Sequence, residues 1–420
     1  MTQAVTRTRA SRSVGAHRGS TTAGSNAPRS GTRGTGTLVL LASVVISLLA
    51  ASSAPTPLYA VYQAEWGFSP ITTTIVFGVY AVSVLVSLLT LGKLSDHVGR
   101  KPVLLVTLLV QAVAMIVLAT AGGVPALLVA RVVQGLATGA AVGAIGAMML
   151  DVDAKRGQLA NAFTPGIGTG TGALLSAVLV SFLPAPTHLV YYVLLGVFVL
   201  QVLGVAVIRE TVTRTPGALS SLKPEITVPK AVRAHLVAAT PVLFAAWALA
   251  GLYGALGPAL LGKLLGGNNT ILAGVLVFGF AGVASSMVLV LRAVSATAVM
   301  QIGAIALFVG VAVTLLALGL GSVVLFFVGT VIAGAGFGAG FQGGIRIVVP
   351  QVAPHERAGT LSLLYVVSYL GFGVPAVIAG VLTVDGPGLF GAATIYGVAV
   401  MLLALLALAA LVRARRTSVA

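Results

Sequence analysis

Cysteine is absent from the 420 residues, which excludes disulfides and thiolate metal sites. Charge is scarce: only 8% of residues are Asp, Glu, Lys or Arg, and 58% are hydrophobic. A soluble domain carries about 25% charged residues, so this composition describes a polytopic membrane protein. Acid is scarcer still. The eight acids are Glu65, Asp96, Asp151, Asp153, Glu210, Glu225, Glu356 and Asp385, and none falls in the middle of an apolar run. A membrane-embedded enzyme would need acids, bases or ligands clustered inside its bundle, and the acids offer none. His17, His97, His188, His235 and His355 lie in tails, loops or the edges of apolar runs. No G-x-x-x-x-G-K-[ST] loop is present, which argues against an ATP-driven pump in this chain.

What the chain does have is about twenty-residue apolar runs. Their approximate bounds are Leu38–Tyr62, Thr72–Leu91, Val103–Ala121, Pro125–Leu150, Leu159–Leu183 and Leu189–Ile208 in a first half. Leu236–Leu261, Ile271–Leu291, Ala298–Leu318, Val323–Val349, Leu361–Leu382 and Leu389–Val412 follow in a second half. The expected fold is therefore all-α, with twelve transmembrane helices in two six-helix bundles, 38–208 and 236–412. Residues 1–37 hold arginines among Ser, Thr, Gly and Ala, with no acid. They read as a disordered basic cytoplasmic tail, although the composition also fits a transit peptide. Residues 209–235, with Pro216, Pro224 and Pro229, read as a cytoplasmic linker, and 413–420 as a second basic tail.

The net charge of +16 suggests nucleic-acid binding only until its distribution is read. One set of loops holds Lys93, Arg100, Lys101, Lys155, Arg156, the linker cations, Arg292, Arg357 and both tails. The opposite loops hold only Lys263. By the positive-inside rule both termini are cytoplasmic. Nucleic acid is not an expected partner; the lipid bilayer is.

The most informative polar stretch is the short loop from Gly92 to Pro102, GKLSDHVGRKP. It cannot lie in hydrocarbon and forces its flanking spans to be antiparallel neighbours. Gly92, Leu94, Asp96, Gly99, Arg100 and Lys101 resemble, position by position, the loop G-x-L-x-D-x-x-G-R-[KR] of the major facilitator superfamily. In the fourth span Arg131, Gln134 and Gly135 resemble the same family's R-x-x-Q-G motif. The likeness covers nearly everything after the tail, including Ala54–Tyr59 and Trp66–Ser69. The second half has lost the loop motif: Leu291 to Ala296 keeps one charge, Arg292, and no acid.

The resemblance implies secondary transport by alternating access, of a type similar to bacterial drug or metabolite:proton antiporters. The implied activity is proton-coupled efflux of a small organic compound or drug, by a monomer in a bacterial cytoplasmic membrane, without cofactor or metal. A facilitator or importer of a sugar or organic acid is the alternative, and a non-transporting sensor is a third reading. Gly92, Asp96, Gly99, Arg100 and Lys101 would form a conformational latch. Asp96 would meet the start of the eleventh span, and Arg100 would meet Asp151 or Asp153 at the end of the fourth. The bland alternative is a loop that only fixes topology.

Arg131, Gln134 and Gly135 would serve coupling. A guanidinium keeps its charge, so Arg131 must either face the bundle interior or snorkel to the outer surface. The family's central path is lined by spans 1, 4, 7 and 10. By that likeness Tyr59, Trp247, Tyr253, Phe337, Phe341 and Gln342 become cavity residues, with Tyr365 and Tyr369 from span 11. Aromatic and amide groups without acids suit a neutral, anionic or hydrophobic solute. The same aromatics could instead be an interfacial belt. Gly166, Gly168, Gly170 and Gly172 with Pro165 only loosely match the antiporter branch, and equally fit a face for close helix packing. Arg346 would touch solute or act as an orientation charge.

Overall fold

The computed structural model describes residues 32–226, 228, 232–353 and 356–417. Among them are twelve helical spans long and apolar enough to cross a membrane. In the first half α1 (Thr32–Ser53) and α2 (Tyr59–Trp66) together make span one. They are followed by α3 (Pro70–Leu91), the short α4 (Leu94–Val98), α5 (Arg100–Ala119), α6 (Val124–Val152), α7 (Ala154–Phe182) and α8 (Leu189–Val207). The second half holds α9 (Arg233–Ala255), the short α10 (Gly257–Leu265), α11 (Thr270–Val290) and α12 (Ala296–Leu320). It closes with α13 (Val323–Val348), α14 (Arg357–Asp385) and α15 (Gly388–Thr417).

Each half has its own apolar core. Leu41, Leu48, Leu104, Met115, Tyr191 and Phe198 belong to the first. Leu243, Leu249, Leu276, Leu307, Phe326 and Val400 belong to the second. Hydrocarbon is as apolar as leucine, so helix association in lipid rests on close packing. Gly135 shows how: a Cβ there would lie 2.6 Å from the Ser83 Cβ and 2.9 Å from the Tyr80 carbonyl. Only glycine lets α6 approach α3 this closely.

The halves meet along two seams. On one, α7 packs on α11, and the Ser285 hydroxyl donates to the Phe163 carbonyl at 3.0 Å. On the other, α3 packs on α14. A Cβ at Gly380 would sit 2.1 Å from Thr74 Oγ1, and the Phe77 and Phe372 rings are 4.5 Å apart. These α3–α14 contacts involve the half of α3 that begins at Pro70 and the half of α14 that ends at Asp385.

Four boundaries depart from the sequence reading. Helix α1 begins at Thr32, inside the stretch read as tail; residues 1–31 lie outside the described residues. The first span breaks after Ser53, because Pro55 and Pro57 remove two backbone donors in succession, and Thr56–Leu58 form a 3-10 turn. The seventh span stops at Ala255 and restarts as α10 at Gly257, with Pro258 in its first turn. The last helix continues to Thr417, through most of the stretch read as a second tail.

Candidate functional site

Between the second and third spans, Gly92 ends α3 and Gly99 separates α4 from α5. Gly99 has φ 106°, a conformation that glycine adopts without strain. A Cβ there would also lie 2.6 Å from Glu210 Oε2. Glu210 is close because its carboxylate caps α5: it accepts from the Arg100 and Lys101 N–H groups, each at 3.0 Å. Burial works to raise the Glu210 pKa. The N–H donors of Thr211, Lys101, Arg100 and Val212 outweigh it and hold the carboxyl below the ordinary glutamate range.

Arg100 is 8% exposed and works as a hub. Its Nη1 bonds Asp96 Oδ1 and, at 2.8 Å, the Ser95 hydroxyl. Its Nε reaches Asp151 Oδ2 at 3.3 Å, which also accepts from the Thr211 hydroxyl at 2.8 Å. Asp153 does not join the hub. It is the N-cap of α7, accepting from the Arg156 N–H at 2.9 Å. Asp96 pairs with Arg100 four residues on; among the described residues it makes no bond to α14, so the expected contact with span 11 is not formed in this structure. Lys101 donates its ammonium to the Ala206 carbonyl near the end of α8.

The linker completes the loop's surroundings, and sequence reasoning missed this. Thr215 N–H donates to the His97 carbonyl at 3.0 Å. His97 Nδ1 lies 3.0 Å from the Pro216 carbonyl. Lys93 pairs with Glu225. The contacts span more than a hundred residues of chain, and no local pattern announces them.

The second half holds its equivalent loop by other means. Arg346, at the end of α13, donates to the Leu291 carbonyl at 3.2 Å and the Val294 carbonyl at 2.6 Å. Both halves therefore tie the loop after their second span to the end of their fourth. In the first half the arginine is on the α5 side and the partner is a carboxylate. In the second the arginine comes from the fourth helix and the partners are backbone carbonyls. Arg346 is held at this loop and not at a central path.

Arg131 is 1% exposed, so it faces the bundle interior and does not snorkel. Its partners follow from the break in span one. Pro55 has no N–H, which leaves the Ala51 carbonyl without its helical donor. Gln134 Nε2 supplies one at 3.0 Å. The next carbonyl, Ser52, accepts from Arg131 Nη1 at 2.9 Å. Arg131 Nη1 also bonds Gln134 Oε1, which fixes the amide's orientation. The Tyr80 ring covers the guanidinium, with the Arg131 Cζ 4.6 Å from its centroid. The Tyr59 hydroxyl is close to the guanidinium but has no hydrogen bond in place, and Arg131 Nε is likewise without one.

Across the midline, Trp247 of α9 is ringed by Phe337, Phe341, Tyr369 and Phe372, with centroids 5.8, 5.5, 5.1 and 5.6 Å away. These residues are half-buried and come from α13 and α14, so they form one cluster and not a belt. Tyr365 is half-buried on the same helix as Tyr369. Tyr253 stands apart. It is 2% exposed, stacks on Phe280 and is 2.8 Å from the Thr314 hydroxyl of α12, so it belongs to the core of the second half. Gln342 turns toward α11, where its Nε2 donates to the Val288 carbonyl at 3.4 Å. No group of three or more His, Asp or Glu that could hold a metal occurs among the described residues.

Two bundles of six spans, meeting at a polar-and-aromatic midline, have the architecture of a secondary transporter. The family follows from sequence: the profile of the Major Facilitator Superfamily matches residues 40–298, more than half of the chain, and the chain belongs to that superfamily. No curated protein sequence matches it. Solved structures share its fold. The nucleoside transporter NupG, in a mutant form, is 14% identical with a TM-score of 0.68, over 89% of this chain and 99% of that one. A bacterial homolog of the human lysosomal transporter Spinster, inward-facing and unoccupied, is 13% identical with a TM-score of 0.69, over 91% and 96%. The human organic anion transporter MFSD10 is 16% identical with a TM-score of 0.62, over 89% and 99%.

Proposed function

We propose that this transporter exports a small organic compound or drug, coupled to protons, across a bacterial cytoplasmic membrane with both termini inside. The observation that supports a small organic solute is the pairing of an aromatic cluster at Trp247 with a fixed buried charge at Arg131, on opposite halves; export is the direction that the resemblance implies. Such a site holds an apolar solute by its rings and orients it by one charge. Asp96 is the latch's contact across to α14, and Arg100, Asp151 and the linker, through Glu210, hold it in place from the first-half side. Here the outer parts of α3 and α14 are packed together while Asp96 has no partner on α14. That is the arrangement expected when the cytoplasmic side is open and the latch released. Binding of Asp96 near the start of α14 would occur in the opposite state, where it meets the positive end of that helix, worth about 0.3–1 kcal/mol when exposed.

The relatives by fold handle different solutes, a nucleoside for NupG and organic anions for MFSD10, so shared fold does not choose among them. Counterflow in proteoliposomes with a panel of labelled solutes, with and without a pH gradient, tests the proposal. Uptake into inside-out vesicles that requires an acidic lumen is the expected result. Flux that is independent of the gradient would make the protein a facilitator. Flux of the opposite sense would make it an importer, and no flux for any solute would leave the sensor reading.

A further inference from the structure

Arg131 presents an unsolved electrostatic problem. A buried guanidinium without a counter-ion is costly, by several kcal/mol on general grounds. The structure gives Arg131 two neutral acceptors and the face of one ring. None of the described acids is near it: Glu65, Asp96, Asp151, Asp153, Glu210, Glu225, Glu356 and Asp385 all sit in loops or at helix ends. The Nε edge has no hydrogen bond, and an arginine edge is the geometry that carboxylates match in bidentate fashion.

The helix that lays the Tyr80 ring over Arg131 also links it to the aromatic cluster. Three residues before Tyr80 on α3, Phe77 lies 4.5 Å from the Phe372 ring, and Phe372 is 5.6 Å from Trp247. Charge and rings thus belong to one continuous site. A ring face is a weaker partner for a cation than a charged hydrogen bond, so an anion arriving at this edge would displace the ring. The Trp247 indole N–H is also buried without an acceptor.

We propose that the midline site takes an amphipathic organic anion. Its carboxylate or similar group pairs with the Nε edge of Arg131 after the Tyr80 ring swings aside. Its planar apolar body lies against the rings around Trp247. This rests on the transport reading above and adds a substrate class to it. The fixed charge of Arg131 repels cations.

The test is equilibrium dialysis of the detergent-solubilised full chain with three labelled probes of one shape: 1-naphthoate, 1-naphthamide and 1-naphthylmethylammonium. Naphthoate should bind at least tenfold more tightly than either of the others. Arg131→Gln should bring naphthoate and naphthamide to within about twofold of each other. Trp247→Ala should weaken both together. Tyr80→Leu keeps Arg131 and removes its cover, and should raise the preference for naphthoate; this variant keeps the test sound if Arg131→Gln fails to fold. Equal binding of amide and carboxylate, a preference for the ammonium, or an anion preference that survives in Arg131→Gln would overturn the assignment. If naphthoate does not bind while a neutral or cationic solute shows counterflow, the anion assignment falls and the transport reading stands.

Discussion

Asp151 should matter more than Asp96 to the stability of the loop between α3 and α5, although Asp96 belongs to the loop and Asp151 does not. Their side chains differ in exposure: Asp96 is 53% exposed and Asp151 31%, while that of Arg100 is 10% exposed. Water readily replaces a lost partner at Asp96, and an exposed i,i+4 ion pair is worth about 0.2–1 kcal/mol. Asp151 Oδ2 receives both Arg100 Nε and the Thr211 hydroxyl. Removing it strands a guanidinium edge and frees the linker; charged hydrogen bonds contribute about 1.5–3 kcal/mol. Local opening of residues 92–101 can be followed by amide hydrogen exchange. At about 1.4 kcal/mol per factor of ten, Asp151→Ala should speed exchange there about 10- to 150-fold. Asp96→Ala should speed it no more than about 5-fold. Asp151→Asn should fall between, because the amide oxygen can take the same two donors without the charge. Equal effects, a larger effect from Asp96→Ala, or no change in Asp151→Ala would refute the view that burial, not membership of the loop, ranks these contacts.

Glu210→Gln should loosen the start of α5 by about 0.5–1.5 kcal/mol, the scale of an anionic cap at a helix N-terminus, read as faster exchange at Arg100 and Lys101. Because the folded-state pKa of Glu210 is lowered, its contribution is full above the ordinary glutamate range and is lost as pH falls through that lowered value. Exchange, corrected for its intrinsic pH dependence, should therefore rise on acidification in wild type but not in Glu210→Gln. Arg346→Ala should free the loop from Leu291 to Ser295, and Arg346→Lys should not rescue it, since one ammonium does not reproduce a fork across two carbonyls. Arg131→Lys keeps a charge but loses the planar fork; driven transport should be lost in correctly inserted protein, and full transport in this variant would count against the fork.

The helices were legible because hydrocarbon demands about twenty apolar residues per span, and charges mark where each stops. Val323, for instance, begins the tenth span in the sequence reading and in the structure. The breaks in the first and seventh spans were harder to see. Pro55, Pro57 and Pro258 were visible, but a proline in a membrane helix can be tolerated, as Pro165, Pro241 and Pro375 are here. The outcome depends on tertiary surroundings that the sequence does not display: at Pro55 the freed Ala51 carbonyl is taken up by Gln134 of α6. The loop motif pointed Arg100 to an acid at the end of the fourth span but left Asp151 and Asp153 open; in the structure Arg100 meets Asp151, because Asp153 is consumed as the cap of α7. Arg346 was unreadable for a different reason. Its partners are backbone carbonyls, which every residue has, so no sequence pattern encodes them.

The distribution of acid limits how protons can be used. Arg131 cannot release its proton at accessible pH, so it acts as a fixed charge. The described bundle interiors hold no carboxylate, and the aromatic site offers only hydroxyl, amide and indole groups. If the chain is coupled to protons through carboxylates, those at the helix ends and loops are the ones available, and Asp96 and Asp151 there already hold a buried cation. Protonating either one weakens the Arg100 hub, so a proton would act on the position of the loop and not on the solute. The electrical gradient acts differently. It is worth about 2.3 kcal/mol per unit charge per 100 mV, roughly 50-fold in concentration, and an anion feels it in any aqueous cavity reaching the midline. The two drives are therefore separable. If the latch carries the proton, Asp96→Asn together with Asp151→Asn should abolish the response to a pH gradient at zero potential and spare the response to potential at equal pH. Loss of both responses in protein that still binds solute would instead make these carboxylates part of the rocking motion itself.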